Sequence, residues 1–276
     1  MNNVTVRALS GIGFIVVMLS CLLLNKFLFA ALIIFIMAGM MTEFYKLTMG
    51  TLYRFSRILA ISAGVILFIL MFLAVVYRLP IRFVSLALPP IFVVMINSLY
   101  VKDKTEFGKF SNIYTGLLYI AVPLALSNLI AFDRDGNLNG TLLICFFIII
   151  WCSDIGAFLF GITLGQKFGK KLFPSISPKK SWVGFWGGMF TAIAASIVLY
   201  FTGLLVFPFV HCIILAIVMD VAGVYGDLFE SQWKRYYNVK DSGNIIPGHG
   251  GLLDRFDSTL LAVPVGAIYL VIMNLL

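Results

Sequence analysis

Nine apolar runs set the limits on what this chain can become: Ala8 to Leu24, Phe27 to Met41, Ile58 to Tyr77, Phe83 to Tyr100, Ile113 to Phe132, Thr141 to Leu164, Phe185 to Val206, Phe209 to Tyr225 and Leu260 to Leu276. A helix needs about 20 residues to cross a hydrocarbon layer of ~30 Å. Inside lipid, a helix satisfies its own backbone polar groups. The expected fold is all-α, a polytopic bundle of about nine transmembrane helices. Only Asn25 and Lys26 part the first two runs, and as one helix those 34 residues would measure about 51 Å. A tight helical hairpin is therefore expected there. The weakly basic start and the lack of a small-residue cleavage site mark the first run as a retained span, not a signal peptide.

Composition agrees: 61% of residues are hydrophobic and 12% charged, where soluble domains carry about 25% charge. A water-soluble globule is excluded, and 15% aromatic residues exclude disorder. Cys21, Cys145, Cys152 and Cys212 lie inside apolar runs with no Cys-x-x-Cys pair, and the only histidines are His211 and His249. Neither a disulfide framework nor a His-rich metal site is available. Any metal would be held by carboxylates.

Of the 20 Lys and Arg, 16 fall on the side that holds the N-terminus and the loops after spans 2, 4, 6 and 8. Positive charge marks the cytoplasmic side, so the N-terminus is expected inside the cell and the C-terminus outside. The formal charge of +8 suits anionic partners, lipid headgroups or phosphorylated substrates, and nothing calls for nucleic acid. Residues 1–112 form a membrane region of about four spans with little motif content, and residues 113–276 a region of about five spans with the polar loops.

The acids are more informative than the bases. Six of the twelve, Asp220, Asp227, Glu230, Asp241, Asp254 and Asp257, fall within 38 residues at the end of span 8 and in the loop after it. If the span-8 helix continues, Asp227, Glu230, Ser231 and Lys234 share a face at steps of three and four. Beyond Asp241, the run Ser242, Gly243, Pro247, Gly248, His249, Gly250, Gly251 cannot be helical, and its glycines let backbone N–H groups approach a phosphate. Hard-cation ligands stand at both ends of this loop and phosphate donors between them. A plain headgroup-binding loop would have no use for so many carboxylates.

Two upstream segments belong with it. Asp154 lies well inside span 6, where an unpaired acid costs about 2.5–3.5 kcal/mol on insertion scales, so a partner or a watery pocket is expected. Asp220 either faces the same way as Asp227 or hydrogen-bonds a neighbouring helix. In the basic loop Gly165 to Ser181, Lys179 and Lys180 precede Ser181, which can cap span 7 and donate to a phosphate; Lys167, Lys170 and Lys171 read as membrane-surface charges. Gly161, Gly165 and Gly169, four apart, read as helix-packing glycines. The run from Asp133 to Gly140 lacks the glycine and glutamate of a calcium loop and reads as an outer turn. His211 reads as interfacial.

Ser231, Lys234, Arg235, Lys240, Asp241, Gly243, Pro247, His249, Gly250, Gly251, Asp254, Arg255 and Asp257 stand at the spacing of a 27-residue signature. It resembles that of the phosphatidate cytidylyltransferase (CDP-diacylglycerol synthase) family. The segments around Asp227, Asp154 and Lys179–Ser181 resemble the same family, so motifs cover about the last 130 residues. Trp233 stands where an aliphatic residue or phenylalanine is usual, and Val183 where a glutamate is common.

The resemblance implies that phosphatidic acid attacks the α-phosphorus of CTP, giving CDP-diacylglycerol and pyrophosphate. Two anions must meet, so divalent metal and Lys/Arg are needed to neutralise them, and oxygen-only ligands point to Mg²⁺, with a second cation as an addition. Asp227 and Asp254 are the expected principal ligands, with Asp154 and Asp257 as outer or second-site candidates. Lys234, Arg235, Lys240, Asp241, His249 and Arg255 complete the expected catalytic set. Lys179, Lys180, Ser181, Ser231, Gly250 and Gly251 are expected to bind substrate. CTP would arrive from the cytoplasm and the lipid sideways from the membrane; a homodimer in the cell membrane is implied as well. Three rivals remain at this point: a CTP-dependent lipid kinase, an anion transporter, and a non-catalytic lipid-binding scaffold. A transporter should show broken helices in two similar halves around a midplane site, whereas here charge collects at one face.

Overall fold

Asn25 breaks the first long apolar stretch. Its backbone is extended, and its side chain accepts the Phe27 N–H at 2.7 Å, so it caps a new helix and ends the old one. The two helices it separates, α1 (Asn3–Leu24) and α2 (Lys26–Met49), pack on each other as the expected hairpin. The computed structural model describes residues 3–51, 53–101, 106–166, 169–245 and 250–276, with side chains from residue 11 on. Arg7's side chain and the residues Lys102, Lys104, Lys167, Pro247, Gly248 and His249 fall outside the described set.

Among the described residues, eight helical stretches are long and apolar enough to cross a membrane: Lys26–Met49, Arg54–Val76, Ile81–Ser98, Phe107–Ala131, Thr141–Gly165, Trp182–Phe201, Phe209–Tyr236 and Leu253–Ile272. The apolar part of α1 is shorter, Gly11–Leu24. The chain is an all-α integral membrane protein, and it divides into two compact units, Met1–Asn139 with Lys240–Arg255 and Gly140–Val239 with Phe256–Leu276.

In the first unit, α2 packs on α3 (Arg54–Tyr77). Phe29 meets Phe132 edge-on at 5.4 Å, and Phe72 meets Phe132 at 5.5 Å, the edge-to-face geometry that aromatic quadrupoles favour. A 3₁₀ segment, Ile81–Ala87, leads into α4 (Leu88–Ser98). The fifth apolar run is broken into α5 (Ser111–Gly116), a π turn (Leu117–Ala121), α6 (Val122–Leu126) and α7 (Asn128–Ala131). Buried Tyr45 braces it, its hydroxyl donating to the Ile113 carbonyl at 2.9 Å. The run from Asp133 is the expected turn: Asp133 accepts the N–H groups of Asp135 and Asn137, each at 2.9 Å. Those bonds, that from Asn137 foremost, hold its carboxyl below the usual range.

In the second unit, α8 (Thr141–Phe160) runs through a π turn, Gly161–Gly165. An antiparallel hairpin, β1 (Lys171–Phe173) with β2 (Ser177–Ser181), leads into α9 (Trp182–Phe201). Pro178 thus sits in a strand; in a two-stranded ribbon every strand is an edge, where proline is tolerated. Ser181 caps α9 by accepting the Gly184 N–H at 3.1 Å. Glycines let α8 and α9 approach closely: a Cβ at Gly188 would stand 3.0 Å from the Ser153 carbonyl oxygen and 3.2 Å from the Ala157 Cβ, and one at Gly187 would run into the Phe160 ring. Helix α10 (Phe209–Tyr236) continues through the first part of the signature, which meets the condition for the shared face of Asp227, Glu230, Ser231 and Lys234. A short turn, α11 (Leu253–Phe256), precedes α12 (Thr259–Ile272), which packs on α10. His211 is bound to the Tyr269 hydroxyl at 2.7 Å, and all four cysteines are free.

Candidate functional site

In the second unit, α8, β2, the start of α9 and α10 enclose a cavity of about 510 Å³. Its polar side is built from Asp154, Asp227, Lys179, Lys180, Ser181 and Gln166, and its other side from apolar residues that include Phe158, Ile162 and Phe185. The intramembrane acid Asp154 therefore has the polar surroundings that its depth demands. Lys180 reaches Asp227, Nζ to Oδ2, at 2.6 Å, and the Ser231 hydroxyl, one turn along α10, donates to Asp227 Oδ1 at 3.1 Å. Both partners of the ion pair stay part-exposed to the cavity, at 27% and 30% of their side chains, so the charges remain open to a ligand.

The backbone explains this convergence. Lys180 and Ser181 close the hairpin, and capping by Ser181 fixes the first turn of α9. The π turn at Gly161–Gly165 shifts the end of α8, and the missing side chain at Gly165 leaves the space that the Ser181 hydroxyl fills. Such turns recur at functional sites. Gln166 donates to the Lys179 carbonyl at 3.0 Å and accepts from Lys171 at 2.9 Å, which ties the hairpin to the helix end.

Other expected residues of this unit support the cavity instead of lining it. Asp257 accepts the N–H of Ser258 at 2.7 Å and lies within electrostatic reach of Asp227, Glu230 and Asp154. Ser258 is 3.5 Å from Asp154 Oδ1. Lys234 bridges to the buried Glu230 at 2.5 Å, one turn back on α10. Arg235 donates from Nε to the Ile176 carbonyl at 3.3 Å and so braces the hairpin turn. Trp233 stacks on Tyr237 with ring centres 6.1 Å apart, a partner for the aromatic residue that departs from the signature. Asp220 is 3% exposed and accepts from Ser153 on α8, the neighbouring-helix alternative; its Oδ2 is buried with no hydrogen-bond partner among the described residues.

The remaining signature residues belong to the first unit. Asp254 folds the loop onto itself, Oδ2 accepting the Ser242 N–H at 2.8 Å, the Ser242 hydroxyl at 2.9 Å and the Gly251 N–H at 2.9 Å. Gly250 has φ +88°, a left-handed conformation that glycine takes without strain. Lys240, Asp241 and Arg255 are exposed. His249 lies outside the described residues. Sequence reasoning missed Glu43, which is 5% exposed in α2 and accepts the N–H groups of Leu252 and Leu253 at 3.1 and 2.9 Å. Part of a signal was available: Glu43 is the only acid in the first 102 residues, but it stands two residues past the Phe27–Met41 run and so outside the span as read from the sequence.

Among the described residues, no three His, Cys, Asp or Glu converge enough to hold an ion by themselves. Mg²⁺ does not require that, since it keeps water and substrate phosphates around one or two protein carboxylates. Asp227 and Asp154, both oxygen donors on one cavity, fit such a partial ligand set.

A model of the cytidylyltransferase family matches residues 5–273. The chain is 37% identical over 173 residues to a phosphatidate cytidylyltransferase of Bacillus subtilis (strain 168), covering 63% of this chain and 61% of that one. It is 34% identical over 213 residues to a phosphatidate cytidylyltransferase of Rickettsia bellii (strain RML369-C), covering 75% and 87%. One from Staphylococcus aureus (strain COL) is 44% identical over 128 residues, 45% of this chain and 47% of its own length. The aligned stretches thus span about half to nearly nine tenths of these relatives.

Proposed function

We propose, from the premise that this chain belongs to the cytidylyltransferase family, that it is a CTP:phosphatidate cytidylyltransferase of the cell membrane with its site toward the cytoplasm. The observation that carries the reading is the cavity in which Lys179, Lys180 and Ser181 meet Asp154 and Asp227 beside an apolar wall. It joins what a charged phosphate, a cation and acyl chains each require. The names of the relatives supply the substrate class.

In the reaction, a phosphate oxygen of phosphatidic acid attacks the α-phosphorus of CTP. One P–O bond forms, the α–β bridging P–O bond breaks, and pyrophosphate leaves with that oxygen. Both reactants are anions, so most of the barrier lies in bringing them together in line, and catalysis is positioning and charge neutralisation. Lys179 and Lys180 supply fixed positive charge, and the positive end of the α9 dipole adds to it; the Trp182 and Gly184 N–H groups of that first turn are held by the Lys170 carbonyl and the Ser181 hydroxyl. Mg²⁺, when bound, neutralises phosphate charge and aligns the α-phosphoryl group. Asp227 would hold it with Asp154, and Asp257 acts from outside; the choice of Asp254 as a ligand rests on its place in the signature. Phe158 on α8 and Ile162 in the π turn after it, 65% and 52% exposed, extend the apolar wall and suit sideways entry of the lipid.

The test is purified full-length protein with CTP, phosphatidic acid and Mg²⁺. Pyrophosphate and CDP-diacylglycerol are expected in equal amounts. Release of CDP with a phosphorylated lipid would replace this reading with a kinase.

A further inference from the structure

Within the first unit, the loop that carries Asp254 is held from α2. Glu43 spends both carboxylate oxygens on it, Oε1 on the Leu252 N–H at 3.1 Å and Oε2 on the Leu253 N–H at 2.9 Å. The Ser242 hydroxyl lies 3.5 Å from Oε2 but 2.9 Å from Asp254 Oδ2, so its one proton goes to Asp254. Two carboxylates thus clamp one turn from opposite ends: Asp254 gathers Ser242 and Gly251, and Glu43 gathers Leu252 and Leu253.

The surrounding residues are shaped to this carboxylate. A Cβ at Gly243 would meet the Glu43 side chain first, with its Cγ at 2.9 Å, and a Cβ at Gly251 would stand 2.6 Å from Glu43 Oε2. One turn earlier on α2, the bare Gly39 receives the Leu252 side chain, which is 3% exposed. Leu252 and Leu253 immediately precede Asp254, so the clamp fixes the direction in which that residue leaves the loop. An acid buried in a membrane helix is costly, and a packing role alone would be filled more cheaply by an apolar side chain.

We propose that Glu43 is a positioning residue: it orients the Gly250–Asp254 turn, and through it Asp254, for the transfer reaction. The proposal rests on the cytidylyltransferase reading for its kinetic consequence but not for its structural one.

Glu43→Gln keeps the size and one acceptor but turns an NH₂ group toward the second N–H donor. It should lower kcat about 10- to 100-fold, the usual effect of losing an outer partner of a site group, with KM for CTP and phosphatidic acid within about twofold of wild type. Amide exchange of the segment carrying Leu252 and Leu253 should speed up about tenfold or more. Wild-type kcat in Glu43→Gln would overturn the proposal. Should that variant fail to fold, Gly243→Ala, whose new methyl displaces the same carboxylate, gives the answer: kcat should fall, and full turnover would overturn the proposal. Should the wild-type protein release no pyrophosphate, the functional reading fails by itself, and the exchange experiment still decides whether Glu43 holds the turn. Unchanged exchange in Glu43→Gln refutes it.

Discussion

Asp227 stands at the centre of the cavity's polar side because two neighbours claim its two oxygens, Lys180 and Ser231. Replacing it by asparagine removes the charge that faces Lys180 and the cation while keeping the shape. Asp227→Asn should cut turnover by about 10²- to 10³-fold in protein that still inserts and purifies normally; near-normal rates would show that the ligand choice is wrong. Ser181 makes a different kind of contribution. Ser181→Ala loses the N-cap of α9 and should cost about 1 kcal/mol, read as a lower Tm in detergent. The contact of Ser231 with Asp227 was legible because it is written locally, one helical turn apart on a single helix. The partners of Glu43 and the Ser153–Asp220 contact were not legible, because residues 67 to 210 positions apart meet only after folding.

Among the elements, the length of the apolar runs announced most helices but not their breaks. The π turns at Leu117–Ala121 and Gly161–Gly165 and the hairpin Lys171–Ser181 came as additions. Their cause is tertiary: Gly165 yields to Ser181, and the strands pair because the short basic loop has a turn at its middle. Close packing of α8 on α9 keeps the carboxylate of Asp154 opposite the start of α9. Gly187→Ala pushes a methyl into the Phe160 ring and should destabilise the fold by about 1–3 kcal/mol, measured as a drop in Tm or in the denaturant midpoint. An unchanged midpoint would mean that the two helices are free to part without cost.

For the whole molecule, the membrane character was legible at once, because nothing else accommodates so much apolar length. The distribution of basic residues predicts an orientation with the hairpin tip cytoplasmic and the Asp133 turn external. In a chain freed of its native cysteines, Asp135→Cys should react with a membrane-impermeant maleimide in intact cells and Ser175→Cys only after lysis; the reverse pattern would invert the topology. On the proposed reading, a few carboxylates and lysines, set in an apolar bundle, join two anions through a divalent cation. The direct measurement is pyrophosphate release by the purified chain given CTP and phosphatidic acid, with Mg²⁺ and then with the metal chelated. Release that requires the lipid, stops on chelation and returns with added Mg²⁺ is the predicted result. Release that persists without metal, or none at all in folded protein, would contradict the account.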